Sequence, residues 1–263
     1  MSVEAKNVSF SYGGEPVLRG VSFRIGEGEL VAVLGPNGVG KSTLFGCVLG
    51  FLRPTEGSVE LFGRDVRALS RRELARCVSY IPQSATLIYN YTVLDMVTMG
   101  LAGQIGIFRT PSAEHRAQAM EALESLGIAH LADRGCNRIS GGERQLMLLA
   151  RALTQQARVL VMDEPTANLD YGNAFRVMER VRSLAGQGFT VLFSTHEPNH
   201  AFRYADRVLA LKGGEVLADG VPKQALTEET LSALYGVGVA VRTARVGDEE
   251  LSLSIPYRGG AEE

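Results

Sequence analysis

An α/β fold whose mixed sheet is parallel at its centre is predicted by three features of this chain. Uninterrupted apolar runs at Leu30-Val31-Ala32-Val33-Leu34, Val159-Leu160-Val161-Met162 and Thr190-Val191-Leu192-Phe193 have the texture of parallel strands covered on both faces. The opening thirty-odd residues alternate instead, as in Val17-Leu18-Arg19-Gly20-Val21-Ser22-Phe23-Arg24-Ile25, which suits antiparallel strands with one wet face. Between 84 and 156 strand-like runs thin out, and helix starts appear at Thr92-x-x-Asp95, at Ser112 after Pro111, and at Ser140-x-x-Glu143. The expected architecture is a core sheet, an antiparallel β subdomain and an inserted helical subdomain at about 84–156.

Taken in order, the first apolar run feeds Gly35-Pro36-Asn37-Gly38-Val39-Gly40-Lys41-Ser42-Thr43, a glycine-rich turn that opens a helix at Lys41. A helix over about 112–126 puts Ala119, Met120, Leu123 and Leu126 on one face and stops at Gly127. The helix that starts after Ser140 runs on through Leu146, Leu149 and Leu153. Val208-Leu209-Ala210-Leu211, a Gly213-Gly214 turn and Glu215-Val216-Leu217-Ala218 form a hairpin, and a helix over 227–235 ends at Gly236. The tail alternates through Val237, Val239 and Val241 and again through Leu251, Leu253 and Ile255, which predicts one more hairpin around Gly247-Asp248. The expected division is a main domain over 1–237 and an extension over 238–263.

Composition narrows the class. A chain of 263 residues with 45% hydrophobic content can bury a proper core. A formal charge of −2 lacks the basic footprint of a nucleic-acid binder, and Arg64, Arg67, Arg71, Arg72 and Arg76 are expected to line a solvated helix face. No apolar run approaches the roughly eighteen residues that cross a bilayer, and Met1-Ser2-Val3-Glu4 does not begin a secretory signal. A cytoplasmic location is expected. Cys47, Cys77 and Cys136 are widely separated and fit a reducing compartment.

The chemistry is carried by the turn at 35–43, which has the phosphate-loop spacing between a strand and a helix. Glycines at 35, 38 and 40 are expected to take positive φ angles, so that N–H groups point inward around phosphates. The helix N-terminus adds about half a positive charge, Lys41 reaches the outer phosphates and Ser42 is placed to ligate Mg²⁺. Asp163 and Glu164 end an apolar strand at the sheet edge where ligands of open α/β folds bind. Asp163 is expected to hold Mg²⁺ and Glu164 to orient a water in line with the γ-phosphate of a nucleoside triphosphate. In Ile139-Ser140-Gly141-Gly142-Glu143, Ser140 and Glu143 read as a capping box. The paired glycines would weaken the first turn by about 1 kcal/mol each unless a close approach required them.

With these motifs in this order, the chain resembles the nucleotide-binding subunits of ATP-binding cassette transporters over roughly residues 3–236, Ser-Gly-Gly being that family's signature. The resemblance implies ATP as substrate, Mg²⁺ as cofactor, Tyr12 as an aromatic platform for adenine, and Gln83 as the sensor of Mg²⁺ and of the transmembrane partner. It further implies that Asp170 belongs to a loop crossing a dimer interface and that His196 holds the γ-phosphate. Two copies would face head to tail, with ATP between the phosphate loop of one and Ser140, Gly141, Gly142 and Glu143 of the other. They would sit peripherally on the cytoplasmic face of the membrane, drive a permease, and work indirectly with a substrate-binding protein. Ile139 and Glu143 depart from the family's usual leucine and glutamine. Thr92-Val93-Leu94-Asp95-Met96-Val97, with Met99-Gly100, and Thr195-His196-Glu197-Pro198-Asn199 look like importers of metal chelates, serving siderophore, haem, cobalamin or molybdate uptake.

Two other readings carry different sequence requirements. A soluble cassette ATPase uncoupled from transport commonly needs two cassettes, a long heptad insertion or paired zinc-binding cysteines, and none occurs here. A GTP-binding switch protein needs a guanine-reading Asn-Lys-x-Asp element, which is also absent from the sequence.

Overall fold

The structure is a computed structural model, and it describes residues 1–83, 91–105 and 110–258. Strands β1 (Val3–Phe10) and β2 (Leu18–Ile25) pair antiparallel, and their alternation turns Val3, Ala5, Val8 and Phe10 inward together with Leu18, Val21, Phe23 and Ile25. The strands β4 (Glu56–Leu61) and β5 (Arg64–Asp65) complete a four-stranded antiparallel sheet in the order β2-β1-β4-β5.

The central sheet has six strands: β3 (Leu30–Leu34), β6 (Val78–Ile81), β7 (Val159–Met162), β8 (Thr190–Thr195), β9 (Arg207–Lys212) and β10 (Glu215–Gly220). Their order is β10-β9-β3-β8-β7-β6. All neighbours run parallel except β10, which returns antiparallel beside β9 through Gly213-Gly214. The pleat explains why the parallel strands read as unbroken apolar runs, because successive side chains enter different cores. Leu30, Ala32 and Leu34 face the core shared with the helices at 93–154, while Val31 and Val33 face the core beneath the antiparallel sheet and α1 (Lys41–Val48). Leu160 and Met162 part from Val159 and Val161 in the same way.

Helix α2 (Arg71–Cys77) leads into β6, and α3 (Val93–Thr98), α4 (Ala113–Ser125) and α5 (Gly141–Thr154) pack on one another. The three helix starts foreseen in the sequence each close a reciprocal cap: Thr92 with Asp95, Ser112 with His115, and Ser140 with Glu143. Ala119, Leu123 and Leu126 are buried as their spacing predicts, with Met120 packed beside them. Residues 84–90, where the helical subdomain was expected to begin, lie outside the described residues. Of the arginines at 64–76, Arg64 pairs with Glu73 and Arg67 with Asp65 at the surface. Cys47, Cys77 and Cys136 are free thiols.

Helices α6 (Tyr171–Gly186) and α7 (Pro198–Tyr204) follow β7 and β8, and α8 (Pro222–Ala225) and α9 (Glu228–Tyr235) follow β10. Strands β11 (Gly238–Val246) and β12 (Glu249–Tyr257) then pair antiparallel in unbroken register from Gly238 opposite Tyr257 to Val246 opposite Glu249. Because β3, β7 and β8 run parallel and adjacent, their carboxyl ends deliver Gly35, Asp163 and His196 to one edge of the sheet.

Phe193 is 1% exposed, on the sheet face that meets the helical core. Phe193→Ala is expected to destabilise the chain by about 3–5 kcal/mol, read from its midpoint of chemical denaturation.

Candidate nucleotide site

The phosphate loop follows β3 as its spacing predicts. Gly38 and Gly40 have φ of 80° and 106°, and Gly40 caps α1 without a side-chain bond, so the first N–H groups of that helix meet no capping side chain. Gly35 departs from expectation: its φ is not positive, and close packing requires it instead. A Cβ there would stand 2.6 Å from the Leu211 carbonyl oxygen and 2.9 Å from Val39 Cγ1, so the loop's first turn is pressed against β9. Pro36 and Asn37 complete the turn. Lys41 is buried; its ammonium donates to the carbonyls of Gly35 at 2.7 Å and Pro36 at 3.1 Å and lies 3.6 Å from Glu164 Oε1. Burial pushes the Lys41 pKa down, against the charges of Glu164 and Asp163, which favour its ionised form. Tyr12 is 68% exposed, stands edge-on to Phe10 and brings its hydroxyl within 3.4 Å of Thr43 Oγ1. An aromatic face is thus presented beside the helix that carries the loop.

Asp163 joins the strands to the loop. Its buried carboxylate accepts from Ser42 Oγ at 2.8 Å through Oδ2 and from Ser194 Oγ at 2.6 Å through Oδ1. Ser42 and Asp163 therefore present two hard oxygen donors at the mouth of the loop, the donor type that Mg²⁺ selects. One residue on, Glu164 takes a φ of 44°, a backbone conformation that costs a residue with a Cβ about 1–3 kcal/mol. Ser194 fixes it there by accepting the Glu164 N–H at 2.8 Å. The turn aims the Glu164 carboxylate at a cluster of polar groups. Gln83 Nε2 donates to Oε2 at 3.3 Å, and His196 Nδ1 approaches Oε1 at 3.4 Å. Four residues named from sequence, Lys41, Gln83, Glu164 and His196, thus meet at one point.

Ser194 was missed. The signal was a small hydroxyl residue ending an apolar strand, two positions before His196, and sequence alone does not show that its hydroxyl faces the neighbouring strand's carboxylate.

The signature residues form a second group. Ser140 caps α5, and Glu143 accepts the Ser140 N–H at 2.7 Å, which holds its carboxyl below the usual range. A Cβ on Gly142 would lie 2.7–2.8 Å from the Asn173 side chain, and one on Gly141 3.2 Å from Leu169 Cδ2. The close approach that requires glycine at 142 is therefore made by the start of α6. Asp170 caps that helix and accepts from the Asn173 N–H at 2.9 Å and its side-chain amide at 2.6 Å. Among the described residues, no hydrogen bond or ion pair links Ser140–Glu143 or Asp170 to the phosphate loop, Asp163, Glu164 or His196.

A glycine loop on a helix N-terminus, with an acidic strand end opposite it on a parallel sheet, defines a phosphate-loop nucleoside triphosphatase. Residues 18–167 match the ABC transporter family model, and residues 137–200 match an AAA domain model. A probable iron chelatin transport ATP-binding protein of Helicobacter pylori is 37% identical over 237 residues, covering 89% of this chain and 93% of the relative. A hemin import ATP-binding protein of Roseobacter denitrificans is 38% identical over 251 residues, covering 92% and 94%. Among solved structures, a metal-chelate type ABC transporter in an inward-facing conformation superposes with a TM-score of 0.88 at 32% identity, over 97% of both chains. A dimeric post-hydrolysis ATP-binding cassette bound to ADP and Pi gives 0.72 at 31% identity, over 84% of this chain and 98% of that one. The chain belongs to the ATP-binding subunits of ABC transporters and is an ATPase of that family.

Removing the Ser194 hydroxyl would leave the Glu164 N–H and one Asp163 oxygen without their partner. Ser194→Ala is expected to lower stability by about 1–3 kcal/mol in denaturant titration. The same variant should slow ATP turnover while its ATP affinity changes by less than the turnover does.

Proposed function

We propose that this chain powers a membrane importer for iron held in a chelate, such as a siderophore or haem, by binding and hydrolysing ATP. The observation that carries the hydrolytic part is the convergence of Lys41, Gln83 and His196 on the Glu164 carboxylate. In this reading Glu164 orients the attacking water. Placement of that water and the field around it matter more than full removal of a proton. His196 holds the γ-phosphate, and Lys41 and the N–H groups at 35–43 bind the phosphates, while Tyr12 stacks on adenine. Ser42 and Asp163, with Gln83, would hold Mg²⁺, which when bound neutralises phosphate charge. No step requires a covalent intermediate on the protein.

Two copies acting head to tail account for the separation of the signature group from the phosphate loop within one chain. Ser140, Gly141, Gly142 and Glu143 of one copy would complete the nucleotide site of the other, with Asp170 beside the seam. The dimeric relative bound to ADP and Pi supports that arrangement. Among the described residues no helix is long and apolar enough to cross a membrane. Attachment would therefore run through a permease docked on the cytoplasmic side near Gln83 and the helical region, with a substrate-binding protein serving the permease from the other face. The names of the iron chelatin and hemin relatives, and the metal-chelate type of the superposed transporter, support the cargo class.

Co-purification from solubilised native membranes tests the transport reading: a polytopic permease and bound iron are expected in the eluate, and recovery of the chain alone would count against it. Glu164→Gln is expected to bind ATP as the wild type does and to lose turnover by about 10²-fold or more, measured as phosphate release. The same variant should run as a dimer on size-exclusion chromatography when ATP is present.

A further inference from the structure

The segment after β10 has no part in the chemistry described so far, yet it is fastened to the residues that carry His196. Tyr235, the last residue of α9, donates its hydroxyl to the backbone carbonyl of His196 at 2.8 Å. Burial pushes the phenol's pKa well up, with the charge of Glu197 adding to the effect, so the hydroxyl keeps its proton and remains a donor. Three residues past His196, the Asn199 side chain pairs with β12. Its Oδ1 accepts from Ser254 N at 2.8 Å and Ser254 Oγ at 3.0 Å, and its Nδ2 donates to the Ser254 carbonyl at 3.3 Å.

The two anchors belong to one unit. β12 is paired along its length with β11, and β11 is bonded to α9 through Val239 N to Ser232 Oγ at 3.1 Å and Val241 N to Glu228 Oε1 at 2.9 Å. The imidazole itself is held loosely. The His196 side chain is 58% exposed, and among the described residues its one polar contact is the 3.4 Å approach to Glu164. Its position is thus set by its backbone, and the backbone is held from the C-terminal side.

We propose that Tyr235 is a positioning residue for ATP hydrolysis, fixing the His196 carbonyl while the Asn199–Ser254 pair holds the next turn, so that the C-terminal hairpin sets where the imidazole meets the transferred phosphate. This rests on the role given to His196 above. Adenine and the inner phosphates are gripped elsewhere, so the effect falls on turnover.

The test uses the full chain. Tyr235→Phe keeps the ring and removes the bond. It is expected to lower kcat about three- to ten-fold, the worth of one hydrogen bond, with KM for ATP changed by less than twofold. The His196 imidazole resonance, assigned by its loss in His196→Ala, should shift or broaden in Tyr235→Phe. The double variant should turn over no more slowly than His196→Ala alone, because a residue acting through His196 has nothing left to act on. If Tyr235→Phe melts below the assay temperature, Asn199→Ala, which releases the second anchor, carries the same measurements. Unchanged kcat and an unchanged imidazole signal, alongside slow turnover in His196→Ala, would overturn the positioning role alone. Normal turnover in His196→Ala would overturn the role of His196 and this proposal with it.

Discussion

Asp163 is the point on which the candidate nucleotide site hangs. A carboxylate at the end of β7 reaches one way to Ser42 in the first turn of α1 and the other way to Ser194 on β8. Three segments far apart in sequence are tied through one buried charge, and the tie is stable because both oxygens are hydrogen-bonded. Ser194 in turn holds the N–H of Glu164 and so keeps that residue in the left-handed turn that points its carboxylate toward Lys41 and His196. The placement of the Glu164 carboxylate is thus inherited from that of Asp163.

Much of this was legible in the sequence, and the legible part has a common physical basis. The parallel strands announced themselves because a strand covered on both faces has no polar positions to spare. The helix starts were readable because a reciprocal cap needs two residues at fixed spacing, as Ser140 and Glu143 have. The cluster of Lys41, Asp163, Glu164 and His196 follows once adjacent parallel strands place their carboxyl ends together. Strands β4 and β6 were not read, since Glu56–Leu61 opens with polar residues and Val78–Ile81 is too short to carry a pattern. Helix α6 was passed over because its first turn, Tyr171-Gly172-Asn173, holds no strong helix former.

The remaining gaps concern neighbours that sequence spacing does not encode. Gly35 was expected to take a positive φ and is instead a contact surface for β9. The cap of α4 uses His115, a ring nitrogen serving where an acid is usual. Ser194 and Tyr235 act through single hydroxyl groups on partners at least thirty residues away, and a local window does not show which partner either one meets. Each of these depends on what the fold brings close, which the strand order decides.

The close fit between α5 and α6 has a mechanical consequence. With Gly142 lying against Asn173, and Asp170 bound to that same asparagine, the two helix starts have no slack between them. They form a single close-packed corner, so a side chain larger than glycine at 142 would have to displace Asn173 and with it a partner of Asp170. The β7 strand, which is followed directly by Asp163 and Glu164, lies between the two helices in sequence, so the same stretch of chain that builds this corner also carries the acidic strand end.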